Sequence, residues 1–373
     1  MRQAAARQLP GALPRTGRRV SVRAAIERAV SGAELPAALI EAAFAEIAAG
    51  EATLVGIAAL LAALRTKGET VGEIVGAARA LRAAAVTAPC LDPRTVDTCG
   101  TGGDGAHTFN ISTTAAFAVA GAGVPVAKHG NRAASSKSGS IDVLEALGVA
   151  VELDVAVSAR VLAEVGIAPF FARIAHPAMR HVAPVRQQLG IRTLMNCMGP
   201  LLNPLGVRRQ MIGVYDRALV PVLASALAQL GSERVLVVHG SDGLDEVTIT
   251  GPTHAALLDR GAVRELTIDP EALGIPLAAG DSLRGGDAAE NAQIALAVLE
   301  GEAGPRRDVV LLNAAAVLWM AGAAADPAEG LALARASVDS GAARAKLAAL
   351  VAATQVGRSE PKASEDQQAG ARR

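Results

Sequence analysis

Apolar residues recur at helical spacing over the first part of the chain, residues 24–85. Leucine, isoleucine and phenylalanine side chains fall three or four positions apart, and Gly50 and Gly68 interrupt the pattern. This periodicity predicts a small all-helical unit. Thr70, followed three residues later by Glu73, predicts a capping box at the start of another helix.

After Pro93 the pattern changes to short β-branched runs separated by longer alanine-rich stretches of helical spacing. Strands that alternate with helices of this length predict βαβ crossovers and a largely parallel sheet. The predicted fold class is α/β, with a small discontinuous all-helical domain beside a larger α/β domain whose mostly parallel central sheet is flanked by helices. The predicted strands are 95–98, 124–127, 210–215, 235–238, 247–250, 263–268 and 309–312.

The domain boundaries follow from changes in this pattern. Residues 186–204 interrupt the alternation with a helical pattern, so we expect them to return to the helical unit. The small domain would then comprise 24–90 plus about 186–204, and the α/β domain 91–185 plus about 205–352. Residues 1–23, with six arginines and no acidic residue, predict a disordered extension rather than a targeting leader, because they lack an apolar segment. The polar residues 357–373 predict a disordered tail.

Composition narrows the classes of function. A chain of 373 residues with 51% hydrophobic content predicts about two domains with a sizeable core. Zero net charge and seven aromatic side chains offer no general basis for binding nucleic acid. Cys90, Cys99 and Cys197 show no CxxC spacing, which predicts reduced cytoplasmic thiols rather than a zinc site or a disulfide framework. The apolar runs are too short to cross a bilayer.

Three polar, glycine-rich motifs lie within one segment, residues 97–147. They read GTGGD at 100–104, NIST at 110–113 and KHGNR at 128–132, and SSKSGS follows at 135–140. Backbone amides freed by glycine, hydroxyls at a predicted helix start and cations on a second loop suit a multiply phosphorylated ligand. Ligands of parallel sheets usually lie beyond the carboxyl ends of the strands, where we expect both loops to open.

Each of these motifs has a structural alternative. GTGGD lacks the spacing of a P-loop or a dinucleotide fingerprint, and a tight strand-to-helix turn alone would also explain it. Ser112 or Thr113 would also suit a helix N-cap. The segment 242–246 supplies three carboxylates after a predicted strand, and it is either a solvated acidic turn or a Mg²⁺ site.

Eight motifs occur in a fixed order: GTGGD, N-x-S-T, KHGNR-A-x-S, S-G-S-x-DVLEALG, H-P-A-M, P-V-R-x-x-LG-x-RT, GPL-x-NP and G-L-DE. Together they resemble the anthranilate phosphoribosyltransferases, and the likeness runs over residues 24–350. The KHGNR motif distinguishes this family from pyrimidine nucleoside phosphorylases, which share the fold. The resemblance implies a Mg²⁺-dependent pentosyltransferase. It would move the phosphoribosyl group of 5-phosphoribosyl 1-diphosphate (PRPP) to the amine of anthranilate, in the second step from chorismate to tryptophan.

The resemblance also implies a set of ligand-binding residues. PRPP would be held by Gly100, Gly103, Asp104, Thr108, Asn110, Ile111, Ser112, Thr113, Lys128, His129, Gly130, Asn131, Arg132, Ala133, Ala134, Ser135, Ser136 and Ser140. Anthranilate would contact Gly100, Asn131 and Arg186. Mg²⁺ would bind Ser112, Asp245 and Glu246. His129 is the nearest candidate for a general base, and a role in orienting the loop is an equal alternative.

The same resemblance implies a cytoplasmic homodimer formed through the small helical domain, with no nucleic-acid or membrane partner. A pyrimidine nucleoside phosphorylase-like enzyme and a non-catalytic binding paralogue of the same fold are the alternatives. Arg173 and Ala175 depart from the family pattern, since relatives usually have proline and an aromatic residue or histidine near the anthranilate entry.

Overall fold

The computed structural model describes residues 21–133 and 137–359. Its helices are α1 (Ser21–Val30), α2 (Ala37–Ala48), α3 (Leu54–Lys67), α4 (Val71–Ala83), α5 (Ile111–Gly121), α6 (Ser140–Ala146), α7 (Val155–Val165), α8 (Ala172–Ala175), α9 (Ala183–Leu189), α10 (Met195–Met198), α11 (Leu219–Gln229), α12 (Ala288–Leu299), α13 (Pro305–Ala321), α14 (Pro327–Asp339) and α15 (Ala342–Ser359). Its strands are β1 (Val96–Asp97), β2 (Val126–Gly130), β3 (Ile167–Phe171), β4 (Arg209–Gly213), β5 (Arg234–Gly240), β6 (Thr253–Asp259) and β7 (Ala262–Ile268).

The strands form one sheet in the order β3-β2-β1-β4-β5-β6-β7. The first five strands in this order run parallel, and β6 and β7 add an antiparallel hairpin. The α/β class with a largely parallel sheet is therefore confirmed. Because β1, β2, β4 and β5 are parallel neighbours, the loops that follow them open along one edge of the sheet.

Two predicted strands are wrong. Residues 247–250 lie between β5 and β6 and belong to no strand, and residues 309–312 lie inside the buried helix α13. A short apolar run cannot distinguish a buried strand from a buried helix, since both faces of either element are apolar. The sequence also missed β3, which contains Pro169 and lies at the edge of the sheet, where proline is tolerated.

Helix α4 of the helical unit begins with a side-chain cap. The predicted capping box of α4 is confirmed, because Glu73 N donates to Thr70 Oγ1 at 3.3 Å and Thr70 N donates to Glu73 Oε2 at 2.9 Å.

Helix α1 starts at Ser21, so the predicted extension was too long by residues 21–23. Likewise α15 continues through Ser359, into the predicted tail. The remainder of both predicted segments, 1–20 and 360–373, lies outside the described residues.

Two apolar cores lie on opposite faces of the sheet. Leu236 joins a core formed mainly by α5, α13, α14 and α15, whereas its neighbours Val235 and Val237 join the other core. The second core is shared by α1–α4, α11 and residues within 182–202, so the stretch predicted to return to the helical unit packs against it. In the part of the chain that the structure describes, no helix is long and apolar enough to cross a membrane.

Candidate active site

The glycine loop after β1, residues 100–104, folds against the acidic segment that follows β5. Thr101 N donates to Gly213 O at 2.9 Å, and Gly102 N donates to Asp245 Oδ2 at 2.7 Å. Gly102 has a φ of 64°, a left-handed conformation that glycine adopts without strain. A Cβ on Gly100 would lie 2.8 Å from Asp245 Oδ2. The loop therefore needs glycine both for its turn and for its close approach to Asp245.

The second motif lies in the first turn of α5. The helix starts at Ile111 and its N-cap is Asn110, so the alternative in which Ser112 or Thr113 is the N-cap is wrong. Ile111 and Thr113 are buried, and Thr108 pairs with Arg284 in an isolated β-bridge. Ser112 N donates to Glu246 Oε1 at 3.0 Å. This helix start already binds a carboxylate, as expected where free amides and the helix dipole attract anions.

Strand β2 carries the most deeply buried cation of the site. Lys128 is 4% exposed, and its Nζ donates to Thr98 O at 2.9 Å and to Thr98 Oγ1 at 3.1 Å. A Cβ on Gly130 would lie 2.2 Å from Ser140 Oγ, so the strand end and the start of α6 are in contact. A lysine ammonium has three N–H donors, and Thr98 accepts two hydrogen bonds from Lys128.

Arg132, Ala133 and Gly139, in the described part of the loop after β2, contact α6. Asp142 Oδ2 accepts hydrogen bonds from Ala133 N and Gly139 N, both at 2.9 Å. Arg132 is engaged in ion pairs with Asp142 at 3.1 Å and Glu145 at 2.7 Å, whereas Asn131 is exposed. Among the predicted donor-binding residues, Ala134, Ser135 and Ser136 lie outside the described residues.

The carboxylates of the acidic segment separate into two groups. Asp242 accepts hydrogen bonds from the hydroxyls of Thr248 and Thr250, both at 2.7 Å, and so stabilises its own turn. Asp245 and Glu246 instead face the glycine loop and the start of α5. Asp104, in the glycine loop, adds a third carboxylate beside Asp245 and Glu246, since its Oδ2 accepts a hydrogen bond from Asp245 N at 3.5 Å. The acidic turn and the ligand-facing pair are thus different residues of one segment.

Electrostatics make the pair costly to ionise in the free protein. Burial, followed by repulsion from Glu246 and Asp104, raises the pKa of Asp245 well above its ordinary value. Burial raises the pKa of Glu246 to about 7, against the opposing effect of Lys128. Adjacent carboxylates whose negative charge is incompletely compensated form an oxygen donor set that suits a divalent cation.

A buried hydrogen-bond network connects the end of β2 with neighbouring segments. Its side chains are Asp97, His129, His176 and Asn203. His129 Nδ1–H donates to Gly199 O at 3.1 Å, so its Nε2 accepts from His176 Nε2–H at the same distance, 3.1 Å. Burial lowers the pKa of His129 to about 3 and that of His176 to about 4. Asp97 accepts from His129 N at 3.2 Å and from Asn203 Nδ2 at 2.9 Å. Sequence reasoning quoted the motifs of His176 and Asn203 but assigned no role to either residue.

A second group of potential metal ligands lies inside this network. Ligand atoms of Asp97, Cys99 and His129 lie within 4.8 Å of one another. Both nitrogens of His129 are already hydrogen-bonded, and burial raises the pKa of the Cys99 thiol far above its ordinary value. A protonated thiol and an occupied imidazole are poor ligands, so the Asp245 and Glu246 pair suits a metal better.

Of the three predicted acceptor residues, Gly100 lies in the glycine loop, Asn131 follows β2 and Arg186 lies on α9. Arg186 is exposed on α9, and its guanidinium makes no hydrogen bond or ion pair with the described residues. Arg192, which sequence reasoning missed, donates from Nη2 to Gly103 O and stacks over the Tyr215 ring at 4.2 Å. The segment after α9 thus contacts the glycine loop directly. Arg173 is exposed, and Ala175 is buried beside His176.

Family comparisons agree with this architecture. Residues 23–85 match the helical bundle domain of a glycosyl transferase family, and residues 92–344 match the a/b domain of the same family. The anthranilate phosphoribosyltransferase of Moorella thermoacetica is 56% identical over 331 residues, which cover 89% of this chain and 98% of that protein. That of Anaeromyxobacter dehalogenans strain 2CP-C is 54% identical over 335 residues, covering 90% and 99%.

Solved structures show the same relationship. The crystal structure of anthranilate phosphoribosyltransferase from Thermus thermophilus is similar with a TM-score of 0.85 and 42% identity, covering 89% of this chain and 99% of that one. The enzyme from Saccharomyces cerevisiae in complex with PRPP and Mg has a TM-score of 0.84 and 26% identity, covering 91% and 99%. The chain belongs to the anthranilate phosphoribosyltransferase family.

Proposed function

We propose that this enzyme transfers the 5-phosphoribosyl group of PRPP to the amine of anthranilate, giving N-(5-phosphoribosyl)anthranilate and diphosphate. One observation carries the proposal. The glycine loop, the start of α5 and the loop after β2 meet at one sheet edge, around Asp245 and Glu246. The amides of the glycine loop, the start of α5 and the buried Lys128 would bind phosphate groups, and the two carboxylates would bind the metal ion that accompanies them.

We assign the donor PRPP to this edge. The amides of the glycine loop and of Ser112 would face its phosphate oxygens, and Lys128 would add a buried positive charge. Glu246 now accepts from Ser112 N. A phosphate group entering at the start of α5 would compete for that amide, because both anions use the same free donors. Donor binding and the position of Glu246 would therefore be coupled.

Mg²⁺ fits the residues present. Asp245 and Glu246, with the hydroxyl of Ser112, would hold it. Burial raises the pKa of both carboxyl groups, and at Glu246 the positive charge of Lys128 offsets this rise only in part. When bound, the cation would neutralise charge on the diphosphate leaving group. The glycine loop, the start of α5 and Lys128 would position the donor.

We assign the acceptor anthranilate to the side of α9. The guanidinium of Arg186 offers a fork of donors that matches a carboxylate. The amine of anthranilate is nucleophilic while neutral, so correct placement supplies much of the rate enhancement. His129 has both nitrogens occupied and a lowered pKa, which fits a role in orienting the loop rather than a role as general base.

The function is tested by the loss of anthranilate fluorescence when purified protein is mixed with PRPP and Mg²⁺. A decay that requires PRPP and disappears with EDTA supports the proposal. A parallel incubation of a pyrimidine nucleoside with inorganic phosphate tests the nucleoside phosphorylase alternative. Phosphorolysis of the nucleoside, without any decay of anthranilate, would replace the proposed function.

We further propose that the helical unit forms a homodimer and that the enzyme is cytoplasmic, without a nucleic-acid or membrane partner. Val30, Leu54 and Val55 are 73%, 54% and 79% exposed, and they lie on α1 and α3, which pack together. Large exposed apolar side chains on two helices that pack together favour a protein partner. A second copy of this chain is the occupant that the family implies.

The dimer predicts a specific change in mass. Light scattering after size exclusion should give about twice the 37.6 kDa of one chain. Val55→Asp should lower this mass toward that of a monomer, because a buried unpaired carboxylate is costly. Val356→Asp is the matched control, since Val356 is 70% exposed on α15 and far from α3 in sequence. A monomer in the unmodified protein, or an unchanged mass in the Val55 variant, would argue against this interface.

A further inference from the structure

The ligand-binding stretch before α5 is backed by a segment that no sequence motif singled out, residues 283–291. Phe109 N donates to Leu283 O and Gly285 N donates to His107 O, both at 3.0 Å. A Cβ on Gly285 would lie 2.6 Å from the backbone N and Cα of Phe109. The two stretches therefore pack backbone against backbone, and glycine is needed at this contact.

Asn291, on α12, connects the two stretches through its side chain, which contacts Gly286 and Asn110. Its side chain is 2% exposed. Its Oδ1 accepts from Gly286 N at 2.8 Å, and its Nδ2 donates to Asn110 Oδ1 at 2.9 Å. A backbone N–H can only donate, so the Asn291 atom that faces Gly286 N must be the oxygen. The Asn291 amide is thereby fixed in one orientation.

The fixed orientation of the Asn291 amide also determines the orientation of the Asn110 side chain. Asn110 is the N-cap of α5, yet its side chain makes no capping hydrogen bond. Since Nδ2 of Asn291 is a donor, the Asn110 atom that meets it must be Oδ1. The Asn110 Nδ2 then faces the opposite side, toward the loop after β2, where it lies 3.4 Å from Ser138 O. Asn110 therefore presents a donor between the two phosphate-binding loops.

We propose that Asn291 is a positioning residue for PRPP, which acts by holding the Asn110 amide with its N–H₂ group toward the phosphates. The inference rests on the proposed function, since it requires PRPP to bind at the start of α5. In the opposite orientation Asn110 would direct an oxygen at an anion. The fixed orientation favours an anionic ligand before that ligand arrives.

The isosteric variant Asn291→Asp tests the inference. Aspartate can still accept from Gly286 N, but its second oxygen would face Asn110 Oδ1, and the Asn110 amide would turn over. We expect the KM for PRPP to rise about tenfold or more, because a hydrogen bond to a charged phosphate is lost and an oxygen faces it. The KM for anthranilate and kcat at saturating PRPP should change less than about twofold.

Two further variants separate positioning from general support of the fold. Asn291→Leu removes the amide donor without adding a charge, so it should raise the KM for PRPP by a smaller factor even if Asn291→Asp folds poorly. Ser337→Ala is the matched control at the other end of α5, where Ser337 Oγ donates to Ala118 O at 2.7 Å and is buried. It should lower thermal stability and leave both KM values unchanged.

A double-mutant cycle with Asn110→Ala gives the decisive result. If Asn291 acts through the Asn110 amide, Asn291→Asp should weaken PRPP binding little further in the Asn110→Ala background. Fully additive effects on the KM for PRPP would overturn the inference while leaving the proposed function intact. An unchanged KM for PRPP in Asn110→Ala alone would overturn the assignment of PRPP to the start of α5, and the inference with it.

Discussion

Asp245→Asn and Glu246→Gln are each expected to lower turnover by at least about a hundredfold, the scale on which a single electrostatic group contributes to catalysis. The loss follows because each variant removes an oxygen ligand for Mg²⁺ beside the diphosphate. Steady-state rates with PRPP, Mg²⁺ and anthranilate measure this. Asp281→Asn is the control, because the Asp281 side chain is 91% exposed and distant in sequence from the pair. Normal turnover in either site variant, with a native circular dichroism spectrum, would remove the metal assignment.

The same variants should stabilise the free protein above pH 7. Glu246 has a pKa of about 7 in the folded chain, and the pKa of Asp245 is also raised, so folding favours their protonated forms. Their stabilising contribution is complete below the ordinary carboxyl pKa and is lost as the pH rises through the folded value. Relative to the variants, the midpoint temperature of thermal unfolding of the unmodified protein without Mg²⁺ should therefore decrease as the pH rises from 5 to 8.

The buried histidines His129 and His176 change the folding stability with pH in the opposite direction to the carboxyl pair. The pKa values of His129 and His176 are lowered to about 3 and about 4, so their neutral forms are favoured by folding. This contribution is present above the ordinary histidine pKa and is lost as the pH falls toward the folded values. Loss of stability in acid should thus persist in the Asp245 and Glu246 variants. Equal pH dependence in all of these proteins would contradict the electrostatic account.

Lys128→Met is expected to give the second large effect. It removes a buried positive charge that lowers the pKa values of Asp97 and Glu246, and it leaves Thr98 O without this donor. We expect the free energy of unfolding to fall by about 1–3 kcal/mol. The efficiency kcat/KM for PRPP should fall by at least about a hundredfold, because a charge-assisted contact to phosphate is lost.

Lys137→Met provides the control, since Lys137 is exposed and lies between β2 and α6, whereas Lys128 lies buried within β2. Urea unfolding and initial rates at varied PRPP measure both quantities. Comparable losses in the two lysine variants would show that the loop attracts PRPP through its general positive charge, and would contradict a specific role for the buried ammonium.

Much of the fold was predictable from local sequence, and the failures have physical causes. The runs that became β1, β2, β4 and β5 contain β-branched residues and are followed by polar loops, so the hydrophobic pattern and the residue composition both predicted strands. Residues 309–312 are equally apolar, but they belong to α13, which is buried on all sides. Edge strand β3 was obscured by Pro169. Only tertiary packing resolves such segments.

The candidate site shows the same division. The loops that face the ligand carry motifs, because glycine, lysine and paired carboxylates stand close together in sequence. The contacts of their supports cannot be predicted in this way, since the partners are far apart along the chain. Asn203 reaches Asp97 across 106 positions, and Asn291 reaches Asn110 across 181. Asn203 lies in the GPL-x-NP motif and Asn291 in none of the motifs, but in neither case does the local sequence reveal the partner, so these roles emerge only from the folded chain.

The central claim is that PRPP and its metal bind between the glycine loop, the start of α5 and Lys128. A crystal structure with PRPP and Mn²⁺ in place of Mg²⁺ tests it most directly, because anomalous scattering locates the manganese independently of the phosphates. The account predicts a manganese peak within coordination distance of Asp245 and Glu246, with the diphosphate at the start of α5. A metal or diphosphate bound away from these residues would contradict it.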